Sequence, residues 1–140
     1  MDSNADFFRL ITPYLRGFGL GEDGGVAVAS QMNNTTPTLT ELDLTDNRLR
    51  EVGGVAIAGA LESNTTLETL ELGHNHLGDK TGVAVASALE RNTTLMTLDL
   101  RVNDLGEAGV VPVLDALKIN TTLRTLNLCN NGFILWGGMG

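Results

Sequence analysis

The sequence of 140 residues contains little cysteine, proline, aromatic side chain or positive charge. Its single cysteine, Cys129, cannot form an internal disulfide, so nothing points to an oxidising compartment. No apolar stretch approaches the roughly 20 residues of a membrane helix, and the first ten residues lack the basic start and apolar run of a signal peptide. We therefore expect a soluble, cytoplasmic protein that does not enter a membrane.

Acidic residues dominate the charge, with 17 Asp and Glu against nine Lys and Arg, which gives a net charge of −8. Nucleic acids and anionic membrane surfaces repel such a protein, so we expect neither as a partner. A partner protein with a basic surface fits the charge better. Hydrophobic residues make up 42% of the chain but aromatics only 4%, so the core must consist of aliphatic side chains.

A repeat of 28 residues organises the chain. Four segments share the pattern LxxLxLxxNxL, with Phe133 in the last leucine position of the fourth: LTELDLTDNRL from Leu39, LETLELGHNHL from Leu67, LMTLDLRVNDL from Leu95 and LRTLNLCNNGF from Leu123. In each segment the alternation around the central leucines predicts a short strand with apolar side chains on one face. The recurring asparagine (Asn47, Asn75, Asn103, Asn131) is expected to bond backbone groups of adjacent coils in the turn that follows.

The rest of each repeat predicts a helix with one face of small and aliphatic residues, such as Gly54, Ile57, Ala58 and Leu61. We expect these small residues to let the helix lie close to the strand, and the same face to include Leu114 and Leu117 in the last helix. The positive end of the helix dipole stabilises acidic residues at the predicted helix starts (Glu22, Glu51, Asp79, Glu107). We expect Asn64, Asn92 and Asn120 to end helices in the left-handed conformation. Pro112 predicts that the last helix begins late, near Gly109, or bends.

One domain is expected to span residues 1–140. Residues 1–20 form a degenerate repeat whose Leu10, Pro13, Leu15 and Leu20 precede their counterparts by 29 residues, with Pro37 at the one-residue insertion. Phe7, Phe8 and Phe18 are expected to cover the first layer of the core. Residues 21–133 form the regular repeats. Residues 134–140 form either a makeshift end closed by Trp136 or the cut edge of a longer array, and we favour the second.

The repeats, LGDKTGVAVASALERNTTL and LGEAGVVPVLDALKINTTL in particular, closely resemble ribonuclease-inhibitor-like leucine-rich repeats. The resemblance covers roughly residues 10–133. It implies an α/β, right-handed β/α solenoid, a horseshoe segment with a parallel sheet on the concave face and helices on the convex face. The class includes intracellular inhibitors, sensor domains, actin-regulating and GTPase-activating proteins, and its members bind proteins. The resemblance therefore implies a protein-binding module, on its own or within a larger sensor or regulator.

Residues that alternate with the inward leucines point into the predicted concavity. They are Glu41, Asp43 and Thr45; Thr69, Glu71 and Gly73; Thr97, Asp99 and Arg101; and Thr125, Asn127 and Cys129. Since parallel strands lie about 4.8 Å apart, Asp43, Glu71 and Asp99 should form an acidic column. One hypothesis is that this column binds a basic partner, with Arg101 as the one opposing charge. The alternatives are an ordinary solvated sheet face and a structural spacer or scaffold without a specific ligand.

Four other patterns have simpler explanations. Gly19 to Gly24 spell GxGxxG, but the glycines recur with the repeat and acidic residues occupy the place of a bound phosphate. His74 and His76 lack further metal ligands, so we expect exposed loop histidines. Cys129 lacks an activating neighbour. The Asn-x-Thr sequons follow the repeat and are expected to be structural. We predict no enzyme activity, no cofactor and no metal.

Overall fold

The structure is a computed structural model, and it describes residues 14–34 and 38–133. Short strands alternate with helices throughout this part of the chain. The helices are α1 (Gly21–Gln31), α2 (Arg50–Ser63), α3 (Gly78–Arg91) and α4 (Gly106–Ala116). The strands are β1 (Glu41–Asp43), β2 (Thr69–Glu71), β3 (Thr97–Asp99) and β4 (Thr125–Asn127).

All four strands form one parallel sheet in the order β1-β2-β3-β4, with equivalent residues of successive repeats in register. The helices pack side by side behind it. Parallel strands are about 4.8 Å apart, whereas packed helices are about 8–10 Å apart, so the stack curves with the sheet on its concave side. The predicted α/β solenoid is confirmed.

The leucines of the repeat fill the space between sheet and helices. Leu42, Leu70 and Leu98, one from each of three successive strands, are at most 1% exposed. Leu126, in the last described strand, is only partly buried. The expectation for α4 was wrong in part, because Leu114 and Leu117 are 37% and 36% exposed where their counterparts in α2 and α3 are buried. No further described coil covers these side chains.

The repeated asparagine forms a ladder through the turns, as predicted. Asn75 is fully buried. Its Nδ2 donates to the carbonyls of Leu44, Leu72 and Gly73 at 2.8–3.1 Å. Its Oδ1 accepts from the amides of Asn47 and Leu49, in the preceding coil, at 2.9 and 3.3 Å. The same arrangement recurs at Asn47 and Asn131. Asn103 donates to three carbonyls in the same way, and among the described residues its Oδ1 accepts from one amide, that of Asn75.

The small residues of the helices bring neighbouring helices together, which corrects the expectation that they serve helix–strand contact. A Cβ added at Gly82 would lie 2.6 Å from the backbone of Gly109 in the next helix, and one at Gly25 would lie 2.9 Å from Gly53. A Cβ at Gly54 would meet Thr81 at 2.5 Å. Adjacent coils therefore depend on glycine where their helices touch.

The predicted left-handed ends at Asn64 and Asn92 were wrong. Both residues have extended backbones, with φ of −73° and ψ of 133° and 131°. Each side chain acts instead: the Oδ1 of Asn92 accepts from the amides of Thr94 and Leu95, and its Nδ2 donates to the carbonyls of Leu61 and Asn64. Asn120 repeats these bonds four residues beyond the end of α4. These side-chain nitrogens are occupied, which supports the structural reading of the sequons.

Pro112 neither delays nor prevents the last helix. Helix α4 begins at Gly106, the position equivalent to Gly78 in α3, and contains Pro112. The expectation of a start near Gly109 was therefore wrong. The helix differs at its other end, since it is 11 residues long rather than 14 and closes with i to i+3 bonds from Leu117 onward.

The N-terminal segment packs as a degenerate coil. Tyr14 pairs in parallel with Asp43, and Leu15 is fully buried beneath it. Phe18 is 56% exposed, so it does not cover the core as expected, because it lies on the turn rather than over the leucines. The predictions for Phe7, Phe8, Leu10, Pro13, Pro37 and Trp136 lie outside the described residues.

Candidate functional site

The predicted concave residues share the exposed face of the sheet, except that Thr45 and Gly73 are buried. Glu41 is exposed, whereas Asp43, Thr69, Glu71, Thr97, Asp99, Arg101 and Asn127 are half-buried. Thr45 is only 4% exposed, and its hydroxyl donates to Asp43 Oδ1 at 2.6 Å. Thr45 therefore supports the site from below instead of offering a contact surface.

The acidic column is real, but two of its three members also have a local structural role. Asp43, Glu71 and Asp99 are register partners on adjacent strands. Asp43 Oδ1 accepts from the amide of Thr45 at 3.0 Å, and Asp99 Oδ1 accepts from the amide of Arg101 at the same distance. These bonds shape the backbone where the strands end.

Asn127 shows that this role does not need a charge. Its Oδ1 accepts from the amide of Cys129 at 3.0 Å, in the position equivalent to Asp43 and Asp99. This turn bond therefore needs only an acceptor on a short side chain, which an amide provides; Glu71, at the same register position, makes no such bond among the described residues. The negative charges on the first three strands are additional to this requirement.

Arginines lie at both ends of the column. Arg16 Nε donates to Asp43 Oδ2 at 3.0 Å. Arg101 Nε lies 3.5 Å from Asp99 Oδ2, close enough for an ion pair although the geometry is not that of a hydrogen bond. The Arg101 side chain passes over Gly73, where an added Cβ would lie 3.1 Å from its Cγ. Within the described residues, only Glu71 has no ion pair of its own in the column.

The pKa values of the column follow from these contacts. Partial burial raises the pKa of the Glu71 carboxyl, and the neighbouring carboxylates of Asp43 and Asp99 raise it further. Partial burial alone would also raise the pKa of Asp43, but the bonds from Thr45 and the Arg16 guanidinium outweigh it and lower that pKa. Glu71 is therefore the carboxylate that would gain most from a cation supplied by a partner.

The degenerate coil adds two residues that the sequence argument missed. The hydroxyl of Tyr14 donates to Glu41 Oε1 at 3.0 Å, and Arg16 pairs with Asp43. Together with Glu71, Tyr14 and Glu41 border a shallow cleft of about 30 Å³. The offset of 29 residues already placed Tyr14 beside Asp43, so the signal was present in the sequence.

The remaining candidate chemistry stays on the surface. His74 and His76 are exposed, as predicted, and His76 Nδ1 lies 3.4 Å from Asp104 Oδ2. Cys129 is an exposed free thiol. Gly21 repeats the positive φ of Gly78 and Gly106, which confirms that the repeat explains this glycine of the GxGxxG pattern. Across the described ranges, no cluster of three potential metal ligands occurs and no helix has the length and apolarity to cross a bilayer.

The chain resembles known proteins both in sequence and in fold. The family model described as Leucine Rich repeat matches residues 36–58, 63–86 and 91–114, about half of the chain. No curated protein matches the sequence significantly. Among solved structures, the chain is similar to one titled "Leiomodin-1 Actin-Binding Site 2 (ABS2)", with a TM-score of 0.79 and 22% identity over 96% of this chain and 79% of that chain. At this identity the likeness shows a shared fold.

Proposed function

The chain belongs to the leucine-rich repeat family, and we propose that it is a protein-binding module whose acidic concave face receives a basic surface of a partner protein. Leucine-rich repeat domains generally mediate protein–protein interaction. The observation that carries the proposal is the register of Asp43, Glu71 and Asp99 on three adjacent strands, with a central carboxylate that has no ion pair among the described residues.

The charges support recognition because the fold does not need them. Asn127 makes the same turn bond as Asp43 and Asp99 without a charge. Like charges on directly opposed strand positions cost stability, roughly 0.2–1 kcal/mol for a pair. A lysine or arginine of a partner that reaches Glu71 would remove this repulsion and restore the carboxylate to its ordinary pKa.

Three finer assignments belong to the same proposal. A full helix in each coil and the 28-residue period favour the ribonuclease-inhibitor-like subtype. The small sheet favours a role as one part of a larger sensor or regulator, since about 800 Å² per partner is needed for a standard interface. The sequence, with its single cysteine, favours the cytoplasm. We propose no catalytic activity and neither nucleic acid nor membrane as partner.

Variants that keep the turn bonds test the charge alone. Asp43→Asn, Glu71→Gln and Asp99→Asn together remove three negative charges while they keep every acceptor. The matched control removes three charges from the helices, one from each of α2, α3 and α4, by Glu62→Gln, Glu90→Gln and Asp115→Asn. Binding of a synthetic lysine-rich peptide is measured by fluorescence anisotropy at low and physiological salt.

We expect the concave variant to bind about tenfold more weakly at low salt, and the helix variant to change about twofold or less, because only the first loses a localised field. Equal losses would mean that the peptide senses net charge alone and would contradict a concave site. If no protein partner tested binds, and both variants bind the peptide as weakly as the parent chain does, the alternative of a structural spacer would be favoured. Purified actin is one defined partner to include, because the neighbouring structure is titled as an actin-binding site.

A further inference from the structure

A second surface lies at the amino-terminal ends of the strands, where the chain enters the sheet. The repeated Asn-Thr-Thr segments stack there and border an open groove of about 420 Å³, a size within the range of ligand sites. Its walls are three pairs of threonines from successive coils: Thr65 and Thr66, Thr93 and Thr94, Thr121 and Thr122.

The outer threonines are free to bind a ligand. Thr65, Thr93 and Thr121 are exposed, and in the described part of the chain their hydroxyls have no hydrogen-bond partner. The inner threonines are half-buried, and the asparagines at the helix ends accept hydrogen bonds from their amides. The groove therefore offers a row of hydroxyls on a backbone that is already fixed.

Glu68, Met96 and Arg124 form the rest of the lining, in adjacent coils. The amide of Met96 donates to the carbonyl of Glu68 at 2.9 Å, and the amide of Arg124 donates to that of Met96 at 2.8 Å, so the three residues stack in one column. The backbone positions that carry a negative and a positive side chain are thus two coils apart, about 10 Å, with an apolar thioether side chain on the coil between them.

The separation of the charges selects a peptide conformation. In a polyproline II helix, residues three apart project on the same side and are about 9.3 Å apart. In a β-strand, residues three apart point to opposite faces. The carbonyls of a polyproline II segment are also free to accept hydrogen bonds from the threonine hydroxyls, because that helix has no internal bonds.

From this geometry we propose that the threonine groove binds a polyproline II segment of a partner protein that carries a basic and an acidic residue three positions apart. The basic residue pairs with Glu68, the acidic residue with Arg124, and the intervening apolar residues rest on Met96. This site is independent of the acidic concave face, because none of its residues belongs to the column of Asp43, Glu71 and Asp99.

The test uses the full chain and short synthetic peptides observed by heteronuclear NMR. The probe is acetyl-Pro-Lys-Pro-Pro-Glu-Pro-amide. Control peptides place Lys and Glu two positions apart, or carry Glu at both charged positions. Glu68→Lys reverses one charge of the groove at an exposed residue, so the fold is expected to persist.

We expect saturable shifts at the amides of residues 65, 93 and 121 with the probe, and binding about tenfold weaker in the Glu68→Lys variant. The peptide with two Glu residues should bind that variant better than it binds the parent chain. The proposal is overturned if the probe gives no saturable shifts in the groove, if spacing by two residues binds equally well, or if Glu68→Lys leaves affinity unchanged. Shifts confined to the strands of the concave face would also overturn it.

Discussion

Replacement of Asn75 by alanine tests how the coils hold together. Asn75 lies in the middle of the asparagine ladder, and its fully buried amide makes five hydrogen bonds to backbone groups of two coils. The three carbonyls that it serves each keep another donor: Asn47 Nδ2 for that of Leu44, Asn103 Nδ2 for that of Leu72 and the amide of Asp46 for that of Gly73.

The amides of Asn47 and Leu49 have no such substitute. In the described residues their acceptor is the Oδ1 of Asn75, at 2.9 and 3.3 Å. A buried donor left without a partner costs about 1–3 kcal/mol. Two such donors, with the weakened carbonyls, predict a loss of about 4 kcal/mol in the free energy of unfolding of Asn75→Ala.

Urea unfolding followed by far-ultraviolet circular dichroism measures this loss. With a slope of about 2 kcal/mol per molar urea, the midpoint should fall by about 2 M. Asn34→Ala is the control, because Asn34 is exposed and its side chain makes one bond within the described residues, of 3.5 Å, so its midpoint should move little. A loss below about 1 kcal/mol for Asn75→Ala would refute the view that the ladder satisfies these buried amides.

Three further predictions use the same assay. Gly82→Ala should destabilise by about 1–3 kcal/mol, because its Cβ would meet the backbone of the next helix; Gly59→Ala, with open space around it, should stabilise by about 0.5–1 kcal/mol, and the same sign for both would contradict the helix contact. Val102→Asn should stabilise by about 1 kcal/mol, since Val102 has a φ of 53° and Asn130 occupies the equivalent position; a loss of stability would exclude backbone strain there. Glu71→Gln should stabilise by about 0.5 kcal/mol at neutral pH. Because folding raises the pKa of Glu71, its charged form weakens the fold above that pKa, so the gain should vanish below pH 4; a gain that is independent of pH would contradict this cause.

The sequence predicts the stacking of this protein because each coil meets the same neighbours. The leucine spacing and the recurring asparagine each have one physical use in a stack of coils, and the structure confirms both at Leu70 and Asn75. Side-chain hydrogen bonds were harder to foresee. Asparagine is a residue type typical of left-handed helix ends. The hydrogen bonds of the Asn92 side-chain amide nevertheless favour an extended backbone at this residue.

The sequence predicted where the residues of the candidate site lie, but not which hydrogen bonds and ion pairs they make. Alternation along the strands places Asp43 and Asp99 on the sheet face, and the structure confirms that placement. Whether a carboxylate bonds the amide two residues later depends on the path of the backbone after the strand, which the repeat pattern does not specify. The contact of Arg16 with Asp43 was hidden because the coil that carries Arg16 departs from the repeat pattern, with Pro13 in place of a strand leucine.

Backbone amide shifts of the chain during titration with the lysine-rich peptide provide the most direct measurement of the central proposal. If carboxylates of the concave face recognise a basic partner, the shifts should concentrate in residues 41–45, 69–73 and 97–101 and saturate together. They should largely disappear in the variant with Asn, Gln and Asn at positions 43, 71 and 99. Shifts of similar size along the helices, or their persistence in that variant, would contradict the assignment.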